Sequence, residues 1–371
     1  MKKRVLITGG AGFIGSHLAD ELIGKGYQVR VLDNLSEQVH GPMAQRPDYL
    51  NPQAELVVGD VRNKKAVREA LDGVDAVFHF AAMVGVGQSM YQIEDYTSVN
   101  NIGTSVLLEA LIENPVKKLI VASSMSIYGE GLYKTATGTY IQECDRLLEN
   151  LRRQRWDMYD DEETPYIPIP TPEYKKPCLS SVYALSKYDQ ERLCLITGKA
   201  YNIPTTALRF FNVYGTRQAL SNPYTGVLAI FASRLLNNNP PMIFEDGMQK
   251  RDFVHVKDVA RACRLALETP EADGEVFNIG SGNQYTIREI ADKLAMVMGK
   301  SNKAEVTGKY RVGDIRHCFA DLTKATALLG YEPQVNFEDG LTELAQWLEG
   351  QIAVDSVNKA TEELASRGLT V

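Results

Sequence analysis

No two of the five cysteines form a C-x-x-C pair. Cys144, Cys178, Cys194, Cys263 and Cys318 are scattered and odd in number. That pattern argues against a disulfide framework or a zinc ribbon and fits a reducing compartment. Long apolar runs are missing too: nowhere do about 18 apolar residues follow one another, the length a membrane-spanning helix needs. The basic start Met1-Lys2-Lys3-Arg4 meets only Val5 to Ile7 before Thr8-Gly9-Gly10 interrupts, so it lacks the apolar core of a secretory signal. The expectation is a soluble, cytoplasmic protein with no membrane partner. A cationic surplus is also absent, with 40 Lys and Arg against 47 Asp and Glu and a net charge of -7. Such a balance cannot neutralise a nucleic-acid backbone, so nucleic acid is not an expected partner, although placed arginines can still hold a small anion. His255 and His317, with Asp314, lack metal-ligand spacing, and no metal is expected.

What is present is ordinary globular composition, 44% hydrophobic and 23% charged over 371 residues. At about 150 residues per domain, that is two to three domains' worth of chain. The first 125 residues alternate short apolar runs with helix-period segments. Strands are expected at Val5–Thr8, Val29–Asp33, Ala54–Val58, Ala76–Phe80 and Lys118–Ser123, with helices at Phe13–Ile23, Lys64–Leu71 and Val99–Ile112. Regular alternation of this kind predicts βαβ units: an α/β fold with a Rossmann-type, doubly wound parallel sheet.

The pattern breaks between residues 131 and 177. This stretch holds the acidic run Asp160 to Glu163 and prolines at 165, 168, 170 and 172, a density that excludes helix and central strand. It reads as a long loop inserted over a site, with one helix at Asp145–Arg155. The acidic run itself reads as solvated loop. Beyond it, a helix is expected at Val182–Lys199 and a strand at Thr205–Phe211. Further helices are expected at Val227–Asn237, Val256–Leu267, Ile287–Met298, Leu322–Leu329 and Phe337–Ile352. The division expected is a cofactor-binding domain over 1–215 carrying the insertion, a smaller mixed α/β substrate lobe over 216–352 between which the chain can weave, and a tail over 353–371.

Gly9, Gly12 and Gly15 fall between the first strand and the first helix. They provide a tight turn, a close backbone approach to a pyrophosphate, and tight helix–sheet packing, and the helix N-terminus offers free N–H groups to the phosphates. Asp33 ends the second strand, 24 positions after Gly9, where its carboxylate can accept from the adenosine ribose hydroxyls. Because it repels a 2′-phosphate, and Asn34-Leu35-Ser36 supplies no arginine, NAD is favoured over NADP. Asp60 is a candidate for the adenine amino group, with a turn aspartate as the plainer alternative. His79 ends a strand and reads as a packed core residue. Tyr183 and Lys187 stand one helical turn apart on one face. An ammonium near a phenol favours the phenolate, which can then act as a base. Ser124, at the end of the fifth strand, is placed to join them, since ligands bind at the carboxyl ends of such strands.

With these residues on view, the chain resembles the extended short-chain dehydrogenases/reductases, in the branch of NAD-dependent sugar-nucleotide epimerases and dehydratases. The matches run in order: the glycine loop, His79-Phe80-Ala81-Ala82, Asn100 to Thr104, Ser123 to Gly129, Tyr183 to Lys187, Leu208 to Gly215, Arg251 to Val259, and Gly313-Asp314-Ile315-Arg316. The resemblance implies cofactor contacts from Gly9, Gly12, Phe13, Ile14, Gly15, Asp33, Asn34, Asp60, Val61, Phe80, Ala81, Ala82, Asn100, Tyr183, Lys187 and Phe210. It implies substrate contacts from Val84, Gly85, Ser124, Ser126, Asn212, Arg251 and Arg316, with a structural ion pair as the alternative for each arginine. Val86, Gly87 and Gln88 are further candidates for the sugar pocket.

One position discriminates within that branch. The 4,6-dehydratases carry Thr-Asp-Glu where this chain has Ser124-Met125-Ser126, and Met125 can be neither acid nor base, so dehydration is disfavoured. Ser124 fits the UDP-galactose 4-epimerase pattern, while the 131–177 insertion and Gln218 to Gly226 most resemble the dTDP-L-rhamnose 4-epimerase group. The resemblance implies that Tyr183 deprotonates the sugar 4-hydroxyl while Ser124 hydrogen-bonds its oxygen. The C4 hydride moves to bound NAD+, and the 4-keto sugar turns over and takes it back on its other face. A UDP-hexose or UDP-uronate 4-epimerase, a net nucleotide-sugar reductase or dehydrogenase, and an inactive dinucleotide-binding module remain open. The resemblance also implies a homodimer joined by a four-helix bundle, built from Val99–Ile112 and the helix after Gln88.

Overall fold

Val5, Leu6 and Ile7 are all fully buried. A strand with no exposed face belongs in the middle of a sheet covered by helices on both sides. A computed structural model, which describes residues 3–43, 45–142, 145–224 and 226–370, places it there. The main elements, in chain order, are β1 (Arg4–Thr8), α1 (Phe13–Gly24), β2 (Gln28–Asp33), β3 (Glu55–Val58), α2 (Lys64–Leu71), β4 (Ala76–His79), α3 (Gly103–Glu113), β5 (Lys118–Ser124), α4 (Val182–Tyr201) and β6 (Thr205–Phe210). They continue with α5 (Val227–Leu236), α6 (Val256–Glu268), β7 (Val276–Ile279), α7 (Ile287–Val297), α8 (Thr323–Leu329), α9 (Phe337–Leu348) and α10 (Val357–Ser366).

The seven strands form one parallel sheet in the order β7-β6-β5-β4-β1-β2-β3. The order reverses beside β1, which opens the crevice where such sheets bind ligands. One face is covered by α1 and α6, whose Leu18, Leu22, Val259 and Ala266 pack on Ile7 and Val31. The other is covered by α2, α3 and α4 over Leu6, Val77 and Val121. A separate core joins α5, α7 and α9 through Phe231, Leu294 and Leu344.

Strands and helices fall where the apolar runs predict, within a few residues at each end. Three differences have physical causes. The edge strand β7 was not expected. It lies in the later half of the chain yet pairs with β6, and α6 likewise returns to the first sheet. The long helix expected at Val99–Ile112 begins as a π-helical turn, Thr97–Ile102, before α3. The helix expected after Gln88 is instead two four-residue turns, Val86–Ser89 and Ile93–Tyr96. The element beside α3 is α4, tied to the π-helical turn that leads into α3 by Asn101 Nδ2 donating to Asp189 Oδ2 at 2.6 Å.

The described residues of the 131–177 insertion form a small sheet rather than one long loop. Leu132–Lys134 pairs antiparallel with both Tyr140–Ile141 and Ile167–Ile169, and the helix expected at Asp145–Arg155 is the single turn Leu148–Arg152. Pro168 sits in an edge strand of this small sheet, where a missing N–H does no harm. Cys144, within the insertion, and Thr225, within the Gln218 to Gly226 stretch, lie outside the described residues. The tail expected after Ile352 contains α10, and main-chain hydrogen bonds return its end to Val312, whose N–H donates to Leu369 O at 2.9 Å.

Candidate active site

A cavity of about 1240 Å³ runs from the glycine loop, past the ends of β4, β5 and β6, to the lobe of α5 and α7. At its first end the backbone is shaped for a flat, phosphate-bearing group. Gly9 adopts φ +68°, and a Cβ there would meet Ala81 at 2.9 Å. A Cβ on Gly15 would meet Gly10 Cα at 2.5 Å. Gly12 caps α1, whose first turn carries no acidic residue, so its free N–H groups face the cavity without a competing anion. Asp33 accepts from Ala11 N at 3.0 Å and Leu35 N at 2.9 Å, which fixes the carboxylate at the cavity wall. These features fit the expected dinucleotide: the cradle exists only because side chains are missing from it. Phe13, Ile14, Val61, Phe80, Ala81, Ala82 and Phe210 also line it, with Phe80 and Phe210 edge to face at 5.9 Å.

Asn34 and Asp60 line the same end, but Asp60 is bound twice by Arg62, at 2.9 and 2.7 Å, and once by Asn34, at 3.2 Å. Arg62 holds its carboxyl down at about 2. It also accepts from Arg62 N at 2.8 Å, so the turn-aspartate alternative describes its local bonds, while its place in the wall is retained. Asn100 departs from expectation. It is fully buried, exchanges two hydrogen bonds with the Met83 backbone at 2.7 and 3.1 Å, and donates to Ser186 at 2.9 Å. It does not line the cavity; it holds the Met83 segment that does.

At the middle of the cavity, Ser124 caps a short 3-10 turn. Its Oγ accepts from Ser126 N at 3.2 Å and Ser126 Oγ at 2.9 Å. With its acceptor sites used, the hydroxyl has its own hydrogen left to donate, and it hydrogen-bonds Tyr183. Tyr183 opens α4, which Ser181 caps by accepting from Ala184 N at 3.1 Å. Lys187 follows one turn later. Burial raises the Tyr183 phenol, against the Ser124 hydrogen bond that lowers it. Burial also brings Lys187 down to about 8. The expected depression of Tyr183 by the ammonium is therefore not what governs it in the protein alone: Lys187 Nζ turns to Gln190 Oε1 at 2.6 Å. His79 is fully buried between Thr8 and Thr104, both at 2.8 Å, and burial lowers it to about 3. It is the packed residue expected.

The far end carries Val84, Gly85, Asn212 and Arg251, as expected, and also Val86, Gly87 and Gln88. Arg251 donates to the carbonyls of Lys250 at 2.9 Å, Arg316 at 3.0 Å and Ile315. Arg316 itself does not line the cavity. Its guanidinium is buried against Asp157 at 2.8 Å, Glu245 at 3.0 Å and Asp246 at 2.6 Å, the structural ion-pair alternative. The arginine in its place is Arg311, held by Asp314 through Nε at 3.0 Å and Nη2 at 2.7 Å. The guanidinium next to the Gly313 motif was the available signal, and the motif began two residues too late to include it. Also missed were Gln218 and Gln249, each with a buried Oε1 lacking a partner, like Asn212 Oδ1. So was the wall formed by Val357, Ala360, Thr361 and Leu364 of α10. None of the described residues of the insertion lines this cavity.

Comparison with known proteins places these features in context. The model of the NAD dependent epimerase/dehydratase family matches residues 5–149 and 157–280. A dTDP-L-rhamnose 4-epimerase of Burkholderia thailandensis is 34% identical over 354 residues, spanning 94% of this chain and 96% of the relative. The structure of a UDP-glucose 4-epimerase from Thermotoga maritima, solved with UDP-glucose, superposes with a TM-score of 0.76 at 33% identity, covering 93% of this chain and 98% of the other. A UDP-glucose 4-epimerase of Thermus thermophilus, solved with NAD, superposes with a TM-score of 0.74 at 30% identity, covering 94% and 100%.

Proposed function

The chain belongs to the NAD dependent epimerase/dehydratase family, and from that premise we propose that it is an NAD-dependent 4-epimerase of a nucleoside-diphosphate sugar. The observation that carries the reading is the placement of Ser124, Tyr183 and Lys187 in one cavity wall, between a glycine cradle and two arginines. Gly9, Gly12, Gly15 and Asp33 are the residues to hold NAD, which when bound supplies a reversible acceptor for the hydrogen and electron pair at the sugar C4.

The protein's own part is proton handling and orientation. Tyr183 Oη takes the proton of the 4-hydroxyl, and its pKa must fall for that step. The Ser124 hydrogen bond already acts in that direction, and the Lys187 ammonium is one helical turn away. Ser124 donates to the same sugar oxygen as it becomes a carbonyl. The proton returns from Tyr183 when the opposite face of the sugar is reduced. Met125 occupies the wall beside them and has no proton to give, which supports epimerisation over elimination of water. Arg251 and Arg311 would hold the diphosphate, leaving the sugar free to turn near Val84 and Gly85.

The substrate we favour is dTDP-L-rhamnose, with the 6-deoxy-L-talose sugar as product. The B. thailandensis relative supports it, and a UDP-hexose is the runner-up, supported by the T. maritima neighbour. Purified protein incubated with each nucleotide sugar, without added cofactor, should convert one of them, read by NMR of the products. Conversion that needs stoichiometric NADH or NAD+ would instead make it a reductase or dehydrogenase.

We place the cofactor in the 1–215 region and the substrate mainly against 216–352, in a cytoplasmic homodimer. No helix among the described residues is long and apolar enough to cross a membrane. Ile102 and Ile112 on the α3 side and Leu185 and Ile196 on α4 are exposed. Their exposure supports a four-helix bundle of α3 and α4 from two subunits.

A further inference from the structure

The two arginines of the anion end share an unusual dependence. Arg311 takes its orientation from the Asp314 carboxylate. Arg251 takes its own from the main-chain carbonyls of Ile315 and Arg316. Both guanidiniums are therefore aimed by three consecutive residues, 314 to 316, and whatever fixes that segment fixes the anion site.

The segment is gripped from the insertion side. Arg146 Nη2 donates to the Asp314 carbonyl at 2.7 Å. The same guanidinium pairs with Glu245 at 2.6 Å and Glu130 at 3.2 Å, and lies over the Tyr310 ring at 4.8 Å. Glu130, at the root of the insertion, accepts from Arg316 N at 2.7 Å and His317 N at 3.1 Å. The side chains of Arg146 and Glu130 are almost wholly buried, so these bonds are shielded from water and salt. Asp157, farther along the insertion, reaches Arg316 and His317.

We propose that the 131–177 insertion, none of whose described residues lines the cavity, is the buttress of its anion site, with Arg146 as the positioning residue that holds residues 314 to 316 and through them Arg311 and Arg251. The inference rests on the proposed function, because it takes the ligand of the two arginines to be a nucleoside diphosphate. A guanidinium already fixed in place binds an anion without first being ordered, which is where the affinity gain lies.

The test compares wild type, Arg146→Met and Arg146→Lys, each loaded with NAD. Calorimetry gives the Kd of dTDP and UDP on the loaded proteins and the Kd of NAD on the same proteins stripped of cofactor, and kinetics separate KM from kcat for whichever nucleotide sugar is turned over. In Arg146→Met, Glu245 keeps Arg316 and Glu130 keeps its two N–H donors, so the fold retains its other ties. The expected result is a diphosphate Kd and a sugar-nucleotide KM weakened about tenfold, or about 1.4 kcal/mol, with kcat and NAD affinity unchanged. Arg146→Lys should fall between, since an ammonium keeps the charge but is a single compact nitrogen that does not span acceptors spread around a planar guanidinium. This variant decides the matter if Arg146→Met does not fold. Unchanged diphosphate affinity in Arg146→Lys and Arg146→Met overturns the proposal, and so does an equal loss of NAD and diphosphate binding, which would mark a general structural role. Wild-type protein that binds neither dTDP nor UDP overturns the functional reading, and this proposal with it.

Discussion

Lys187 Nζ donates to Gln190 Oε1 at 2.6 Å, on the same helix, rather than to Tyr183, its partner in the proposed chemistry. Gln190 Nε2 in turn donates to Thr104 Oγ1 at 2.9 Å and hydrogen-bonds His79 at 3.2 Å. The ammonium is thus anchored by a neutral, buried amide, and burial outweighs the nearby Glu191 carboxylate to bring Lys187 from 10.5 down to about 8.

That depression has a measurable sign. Between pH 8 and 10.5 the unfolded chain still binds the lysine proton while the folded one has released it. Wild-type stability therefore rises with pH across that window relative to Lys187→Met, which cannot titrate, and the full cost is present below pH 8. Urea unfolding of cofactor-free protein at pH 7.5 and pH 10.5 should show the wild type gaining on the variant by on the order of 3 kcal/mol.

Tyr183→Phe should lower kcat by about a thousandfold and Ser124→Ala by about a hundredfold, the range for positioned proton transfer and its supporting hydrogen bond. NAD retained through purification, read by absorbance of the denatured supernatant, should stay the same in both. A Tyr183→Phe protein as active as wild type would remove the mechanism.

Asp33→Asn removes the charge and keeps an acceptor for only one of Ala11 N and Leu35 N, which bond to different oxygens of the carboxylate. NAD binding should weaken about tenfold while NADP binding strengthens, because the repulsion of a 2′-phosphate has gone. Titration of apo protein with each cofactor, followed by fluorescence, reads both changes.

Arg251 and Arg316 should fail in different ways. Arg251→Met should raise KM for the nucleotide sugar at least about tenfold with little change in melting temperature. Arg316→Met strips the partner from Asp246 and one partner from buried Glu245, and should cost about 3 kcal/mol of stability, measured by chemical denaturation.

Much of this architecture is written in local sequence, and the exceptions have physical reasons. β1, β4 and β5 are buried on both faces and carry apolar runs at residues 5–7, 76–78 and 119–122, while β6, equally buried, is interrupted by Arg209. β7 has the same character, but it follows α6 in a region read as a separate lobe, and no local signal says which sheet a strand will join. The insertion's strands are two or three residues long, too short for any periodicity to register. Ser124, Tyr183, Lys187 and the glycine loop were legible as candidates because their spacings are fixed, and all of them line one cavity. Arg316 and Arg311 lie five residues apart on an irregular segment, and there sequence cannot say which guanidinium faces the cavity and which faces the carboxylates of Asp157, Glu245 and Asp246. Nor does the Ala/Glu/Lys composition of α10 reveal that Ala360 and Leu364 face a ligand cavity.

That last wall has a consequence for when the protein becomes competent. The first residue to line the cavity is Gly9 and the last is Leu364. Chains emerge and fold from the N-terminus, so a nascent chain can close the glycine cradle around Gly9 and Asp33 long before its other end exists. Until synthesis passes Leu364, the substrate side stands open along the face that α10 will cover. Dinucleotide capture and sugar turnover are thus separated in the birth order of a single polypeptide, with the cofactor's place made first.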